Sequence, residues 1–213
     1  MKEIPAVLTS LAGKRPIFHS EADFQHAFAW EVHRMFPDAS VRLELPIQVG
    51  SRSIHVDICI RYRDEIAAVE LKYKTRDLTV DRDGERYRLK NQSAQDTGRY
   101  DFIRDIQRLE HVVGGHVASV GYAILLTNDS SYWTGPGKTD TVDAKFRVHD
   151  ARILEGELGW GPNASDGTMK GREKLLKLRG RYVVEWMDFS RPSDATYGTL
   201  RSLTIAVADP VSR

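Results

Sequence analysis

Two acidic residues and a lysine occupy positions of the sequence where hydrophobic side chains are expected. The segment from Val56 to Lys74 reads VDICIRYRDEIAAVELKYK, with Asp57 in one apolar run and Glu70 and Lys72 in the next. Burying an unpaired charge in a protein interior costs several kcal/mol on an order-of-magnitude scale. The three charges therefore predict a salt bridge, a solvated edge or a metal site.

A pair of carboxylates beside an amine suits a hard divalent cation. Mg²⁺ is bound through one or two carboxylates and keeps several waters for substrate phosphate. Asp57 and Glu70 would supply the carboxylates, and the carbonyl of Leu71 could add a third oxygen. Such a metal would acidify a bound water and neutralise charge on a scissile phosphate. Lys72 would orient or deprotonate that water, or stabilise the transition state.

The spacing of apolar residues predicts that these charges lie on an antiparallel hairpin. Residues 54–62 and 66–73 each have a strand pattern, and only a short polar connection separates them. If the turn pairs Tyr62 with Glu65, then residues 57 and 70 lie directly opposite each other and share a face. A slip of one residue would send the two acids to opposite faces, so the site makes a specific demand on register.

Length and composition favour one α/β domain that spans residues 1–213. The chain has 41% apolar and 29% charged residues, which allows a packed core, and its net charge of +1 means that any nucleic-acid footprint must be local. Its single cysteine, Cys59, is predicted to fill the core and fits a reducing cytoplasm. No apolar leader or membrane-spanning stretch is present, so we expect a cytoplasmic protein with no membrane partner.

One helix is predicted before the hairpin along the chain and another after it. Residues 21–36 form a helix capped by Ser20, and Glu31 falls on its apolar face while Glu21 projects near its start. A strong amphipathic helix at 99–113 precedes a buried strand. The other predicted strands are 40–49, broken near Pro46, the buried strand at 120–129, a hairpin around Asp83-Gly84, and C-terminal strands at 181–190 and 200–209.

These pieces resemble the PD-(D/E)XK nuclease superfamily, whose restriction-endonuclease-like fold has a central mixed β-sheet flanked by helices. Asp57 ends a first motif, and ELK at Glu70 to Lys72 matches the second. The order of helices and strands matches the family's α-β-β-β-α-β core over about residues 20–128, with residues 129–213 as an elaboration. Val56 stands where the motif nominally has proline, a position that varies widely in the family.

The resemblance implies a nuclease that hydrolyses DNA phosphodiester bonds with Mg²⁺, or with Mn²⁺ as a substitute. Asp57 and Glu70 would be metal ligands and Lys72 the catalytic lysine. Many members add a glutamate from the first helix, and here Glu21 and Glu31 both remain open. Cleavage of both strands often requires a homodimer, which is a further expectation.

Other assignments compete with this one. A catalytically silent module of the same fold, binding nucleic acid or a protein, is one alternative. A small-molecule hydrolase or a sugar-binding α/β domain lacks support because the sequence has no nucleophile elbow, P-loop or Rossmann glycine pattern. The basic cluster at 170–181 favours a solvated face but is the best local candidate for phosphate contacts, and Trp30 and Trp186 are predicted in the core.

Overall fold

The computed structural model, which describes residues 1, 3–135 and 137–208, has an α/β architecture. Its helices are α1 (Ile4–Lys14), α2 (Glu21–Met35), α3 (Gln95–Gly114) and the short α4 (Asp166–Met169). Its strands are β1 (Ser40–Val49), β2 (Arg52–Tyr62), β3 (Glu65–Lys74), β4 (Leu78–Arg82), β5 (Glu85–Leu89), β6 (Val120–Thr127), β7 (Ile153–Leu158), β8 (Leu176–Val183), β9 (Trp186–Ser190) and β10 (Leu200–Ala208).

Six of these strands form one mixed sheet in the order β1-β2-β3-β6-β10-β9. β3 and β6 are parallel and are joined through the crossover helix α3, while the other neighbours are antiparallel. β4 pairs with β5, and β7 pairs with β8, in two separate two-stranded sheets. A parallel pair of strands needs a long crossover connection. The helix α3 lies within that crossover and covers β3, the strand that holds Glu70 and Lys72.

Hydrophobic side chains on both faces of the sheet are buried under helices. Val69 and Leu71 of β3 belong to the core that α1 and α2 cover, whereas Ala68 belongs to the core that α3 covers. Because side chains alternate along a strand, Glu70 and Lys72 share the α3 face with Ala68. The two charged residues therefore lie on the side of the sheet that faces α3.

The sequence around α2 explains where that helix begins and ends. The Ser20 side chain accepts a hydrogen bond from the backbone N–H of Asp23 at 3.1 Å, and Glu21 and Asp23 lie in the first turn. Acidic groups there interact favourably with the positive end of the helix dipole. The helix ends just before Pro37, as the sequence predicts.

Pro5 does not prevent the 11-residue helix α1, because it lies in the first turn, where the missing N–H has no helical partner. One expectation about the helices that flank the sheet was wrong. Trp30 was predicted in the core but is 73% exposed, whereas Trp186 is buried as predicted. Trp30 lies on the outer side of α2, away from its buried stripe.

The C-terminal part contributes more strands than the sequence indicated. β7 gave no clear signal, and the strand predicted at 181–190 divides between β8 and β9, which belong to different sheets. β9 and β10 complete one side of the main sheet. Among the helices of the described residues, none is long and apolar enough to cross a membrane.

Candidate active site

The register of the β2–β3 hairpin is the one that the candidate site requires. Tyr62 pairs with Glu65, and the ladder continues to Ile58 opposite Val69. One further step along both strands sets residue 57 opposite residue 70, just where the paired ladder stops. The prediction of register is confirmed, and the candidate acids lie where β2 and β3 begin to separate.

The backbone on the other side of Asp57 is also irregular. Asp57 lies opposite Glu44 of β1, which has a φ of 50°, a conformation that residues other than glycine seldom adopt. Gln25 of α2 donates one hydrogen bond to Glu44 Oε1 at 2.9 Å and another to the carbonyl of Asp57 at 2.8 Å. The strand predicted to break near Pro46 in fact continues through it, and the departure falls two residues earlier, beside Asp57.

The carboxylate of Asp57 is anchored to the neighbouring strand. Its Oδ2 accepts a hydrogen bond from the backbone N–H of Leu71 at 2.6 Å. Burial raises the pKa of Asp57, and this effect outweighs the Leu71 hydrogen bond and the positive charge of Lys72. This hydrogen bond fixes the direction of the Asp57 carboxylate beside Leu71, the residue that follows Glu70.

Glu70 is a buried acid whose charge is poorly compensated. Its side chain is 2% exposed, and neither carboxylate oxygen has a hydrogen-bond partner in the described structure. Arg108 of α3 lies nearby, with Nη2 at 3.1 Å from Oε1, close enough for an ion pair but not aligned as a hydrogen bond. Burial, together with the negative charges of Asp105 and Asp57, raises the pKa of Glu70 to about 9.

Lys72 is held between a carboxylate and a carbonyl. Its Nζ lies 2.9 Å from Oδ2 of Asp105 and donates a hydrogen bond to the carbonyl of Leu71 at 3.1 Å. Burial acts to lower the pKa of Lys72, but the negative charges of Asp105, Glu21 and Asp57 outweigh it, so the pKa is raised. The side chain is therefore an ammonium cation at neutral pH.

Two residues of α3 complete this charge network, and sequence reasoning missed both. Asp105 is buried, and its Oδ1 accepts a hydrogen bond from Arg108 Nη1 at 3.1 Å. The signal was present, because Asp105 lies three residues after Phe102 and four before Leu109, on the apolar stripe of the helix. An acid at such a position predicts a buried partner, and that partner is Lys72.

The structure separates the two glutamates of α2. Oε2 of Glu21 accepts a hydrogen bond from the backbone N–H of Tyr73 at 2.7 Å, which sets this acid beside the end of β3. Glu31 is buried elsewhere and is neutralised by Lys14 at 2.7 Å and Arg34 at 2.8 Å. The hydrogen bond from Arg34, with help from Lys14, lowers the pKa of Glu31 to about 2. Of the two, Glu21 is the glutamate near the candidate site.

Cys59, His55 and several residues of the basic cluster make contacts within the fold. Cys59 is buried in the core, as predicted, and the His55 carbonyl accepts a hydrogen bond from Arg108. Half of the six basic residues at 170–181 make ion pairs, since Arg172 pairs with Asp101 and two further members pair with glutamates of β7. Lys174 is an exposed member that lines a groove beside α3.

The oxygen atoms near Asp57 are of the kind that Mg²⁺ takes as ligands. The described residues contain no group of three or more His, Cys, Asp or Glu side chains arranged to hold a metal. Mg²⁺ needs only one or two carboxylates, because water fills its other positions, and Asp57, Glu70 and the Leu71 carbonyl are oxygen donors of this kind. The two Glu70 oxygens without hydrogen bonds are the observation that favours a cation here.

Comparisons with known proteins do not add to this description. A scan against protein-family models, a search of curated proteins and a search of solved structures each found no match.

Proposed function

We propose that the protein is a metal-dependent nuclease that hydrolyses DNA phosphodiester bonds at Asp57, Glu70 and Lys72. The observation that carries this proposal is the carboxylate of Glu70, buried without a hydrogen bond in the described structure and next to a second anchored acid. An unsatisfied buried polar group is costly. A bound Mg²⁺, or Mn²⁺ in its place, would supply the partner that the Glu70 carboxylate lacks.

The order of elements supports the same proposal. The helix α2, the three antiparallel strands β1 to β3, the helix α3 and the parallel strand β6 occur in this order along the chain, with the separate hairpin of β4 and β5 inserted between β3 and α3. This agrees with the α-β-β-β-α-β core of the PD-(D/E)XK superfamily, and the proposed site lies on its second and third strands. A fold hosts many functions, so the argument for catalysis rests on the charged residues.

Each charged residue has a distinct part in the proposed reaction. Asp57 and Glu70 would hold the cation, with the Leu71 carbonyl as a third ligand. When bound, Mg²⁺ would neutralise charge on the scissile phosphate and acidify a water molecule. Lys72, an ammonium held by Asp105, would donate a hydrogen bond to the phosphate or to the attacking water.

A second candidate function is a nucleic-acid-binding module without catalysis. The favouring observation is that protein cations already contact the proposed ligands, since Arg108 lies 3.1 Å from Glu70 and Lys72 donates to the Leu71 carbonyl. A metal must compete with both contacts. Tight DNA binding with no turnover in Mg²⁺ or Mn²⁺ would favour this candidate.

A plasmid assay distinguishes the two candidates. Supercoiled and linear DNA are incubated with the protein in Mg²⁺, in Mn²⁺ and in a chelator. We expect metal-dependent cleavage that is lost in Asp57→Asn and Lys72→Ala, because each removes a group from the reacting centre. The matched control is Glu157→Gln, an exposed acid of β7 that pairs with Lys177; it should cut as the wild type does. Unchanged cleavage in the site variants would refute the assignment.

A further inference from the structure

A groove beside the candidate site is lined by positive charge. It lies between the β1–β2 turn and the exposed side of α3, and its volume is about 940 Å³. We call it the basic groove, and the cationic or titratable residues that line it are His55, Arg104, Arg108, His111 and Lys174. None of the described residues that line it is acidic, so its lining carries three permanent cations.

Neighbouring acids leave the cations of the basic groove only partly neutralised. Arg104 lies 3.0 Å from Asp101, but that same carboxylate is shared with Arg172 at 2.7 Å. Lys174 is exposed, and within the described chain no carboxylate makes an ion pair with it. The groove therefore keeps a net positive charge in a protein whose overall charge is only +1.

Arg108 connects the basic groove to the candidate active site. One guanidinium lines the groove and also contacts Glu70 Oε1 at 3.1 Å and Asp105 Oδ1 at 3.1 Å. Its side chain remains partly exposed. A ligand that follows the groove thus arrives at the acids that would hold the metal.

A second groove of similar size shows that this pattern is not general on the surface. It measures about 830 Å³ and lies between α1 and the strands β9 and β10. Its charged lining residues are Arg82, Arg191, Glu185 and Asp188, which balance one another. It gives no electrostatic reason to bind an anionic polymer, in contrast to the basic groove.

We propose that the basic groove binds the phosphodiester backbone of DNA on one side of the scissile phosphate, with Arg104 and Lys174 as phosphate contacts. A DNA strand carries one negative charge per nucleotide, and cations spaced along a groove neutralise successive phosphates and release counterions. Such contacts position the strand without reading its sequence. The choice of DNA rests on the proposed function, and the groove sets the direction in which the strand leaves the site.

The test measures DNA binding separately from cleavage. Fluorescence anisotropy follows a labelled DNA duplex on Asp57→Asn protein in chelator, so that no cutting occurs. The test variant adds Arg104→Ala and Lys174→Ala. The matched control adds Lys177→Ala and Arg181→Ala, which also remove two positive charges but from residues paired with glutamates of β7.

We expect the test variant to bind DNA roughly tenfold or more weakly than the parent. The slope of log affinity against log salt should become less steep by about 2, because two phosphate contacts are lost. The control should stay within about twofold of the parent. Equal weakening in both variants, no weakening in the test variant, or no DNA binding by the parent would overturn the proposal. Melting temperatures verify that all variants are folded.

The two proposals fail in distinguishable ways. If the wild type never cleaves DNA but the test variant alone loses binding, the nuclease proposal fails and the basic groove stands. If the wild type cleaves DNA but the test variant and the control variant bind DNA equally tightly, the groove proposal fails and the nuclease proposal stands.

Discussion

The ammonium of Lys72 lies 2.9 Å from Oδ2 of Asp105, so a contact between β3 and α3 fixes the proposed catalytic lysine. Asp105 is buried and also accepts a hydrogen bond from Arg108. One carboxylate therefore orients the two cations that face Glu70. In the proposed reaction, Asp105 is a positioning residue that acts through Lys72.

Replacing Asp105 should slow cleavage without greatly weakening DNA binding. In Asp105→Asn the side chain keeps its size but loses the charge that directs Lys72, and a small misplacement of a reacting group can cost up to roughly 100-fold in rate. We expect kcat to fall about 10- to 100-fold with KM within a few-fold, measured by initial rates on a labelled duplex.

A conservative variant separates positioning from simple structural damage. Asp105→Glu keeps the charge and should recover part of the rate that Asp105→Asn loses. Equal rates in both variants, or a loss that appears only in KM, would contradict a positioning role for Asp105.

The stability of the metal-free protein should fall as the pH rises. Glu70 has a folded pKa of about 9 against 4.5 for its ordinary value, so the folded state holds a proton that the unfolded state has lost between these two pH values. By linkage, that difference lowers the free energy of unfolding as the pH increases through the window. Glu70→Gln removes the titrating group and should therefore flatten the trend.

Thermal unfolding in chelator at pH 5.5 and pH 8.5 measures this effect. We expect the wild type to lose stability relative to Glu70→Gln at the higher pH. Parallel pH profiles for the two proteins would show that Glu70 is ionised in the folded state throughout this range.

Metal affinity should increase with pH for the same reason. A cation binds the ionised carboxylate, so binding must release the proton that Glu70 carries below about pH 9. Loss of one proton allows at most a tenfold gain in apparent affinity per pH unit. Mn²⁺ titrations against a competing indicator at pH 6.5, 7.5 and 8.5 should follow this slope, and a flat profile would argue against Glu70 as a ligand.

The two glutamates of α2 should respond differently to loss of charge. Glu31 accepts hydrogen bonds from Lys14 and Arg34, so Glu31→Gln should cost about 1.5–3 kcal/mol of unfolding free energy, typical of hydrogen bonds to charged groups. Its lowered pKa contributes stability above pH 4.5, and that contribution is lost as pH falls towards about 2. The acid-unfolding profile of Glu31→Gln should therefore be shallower in that window.

Glu21→Gln should instead act on cleavage. The amide oxygen can still accept the hydrogen bond from Tyr73, so stability should change little, but the negative charge near Lys72 is lost. Cleavage assays and denaturant unfolding on both variants test the contrast. Two results together would contradict this placement of the two residues: a fully folded Glu31→Gln protein that cleaves DNA more slowly than the wild type, and a Glu21→Gln protein that cleaves at the wild-type rate.

The hairpin that carries the proposed site could be predicted because its sequence constrains the register strongly. Apolar alternation on both strands and a short turn leave one pairing that keeps the acids on the same face, and Tyr62 does pair with Glu65. The helix α2 was predictable for a similar local reason, since Ser20 and Pro37 mark its ends.

Features that depend on distant parts of the chain could not be predicted in this way. The partners of Glu70 and Lys72 come from α3, more than 30 residues later in the sequence, and only packing against β3 brings them near. Trp30 looked like a core residue from its type alone, but its position on α2 turns it outward.

Direct measurement of metal binding tests the central claim, that Asp57 and Glu70 together hold one divalent cation. Isothermal titration of the wild type with Mn²⁺ at pH 8 should give one site per chain. Asp57→Asn should abolish that site, and Glu31→Gln should leave it unchanged. A wild type that shows no binding heat and no Mn²⁺-dependent rise in melting temperature, or an Asp57→Asn protein that binds as tightly as the wild type, would contradict it.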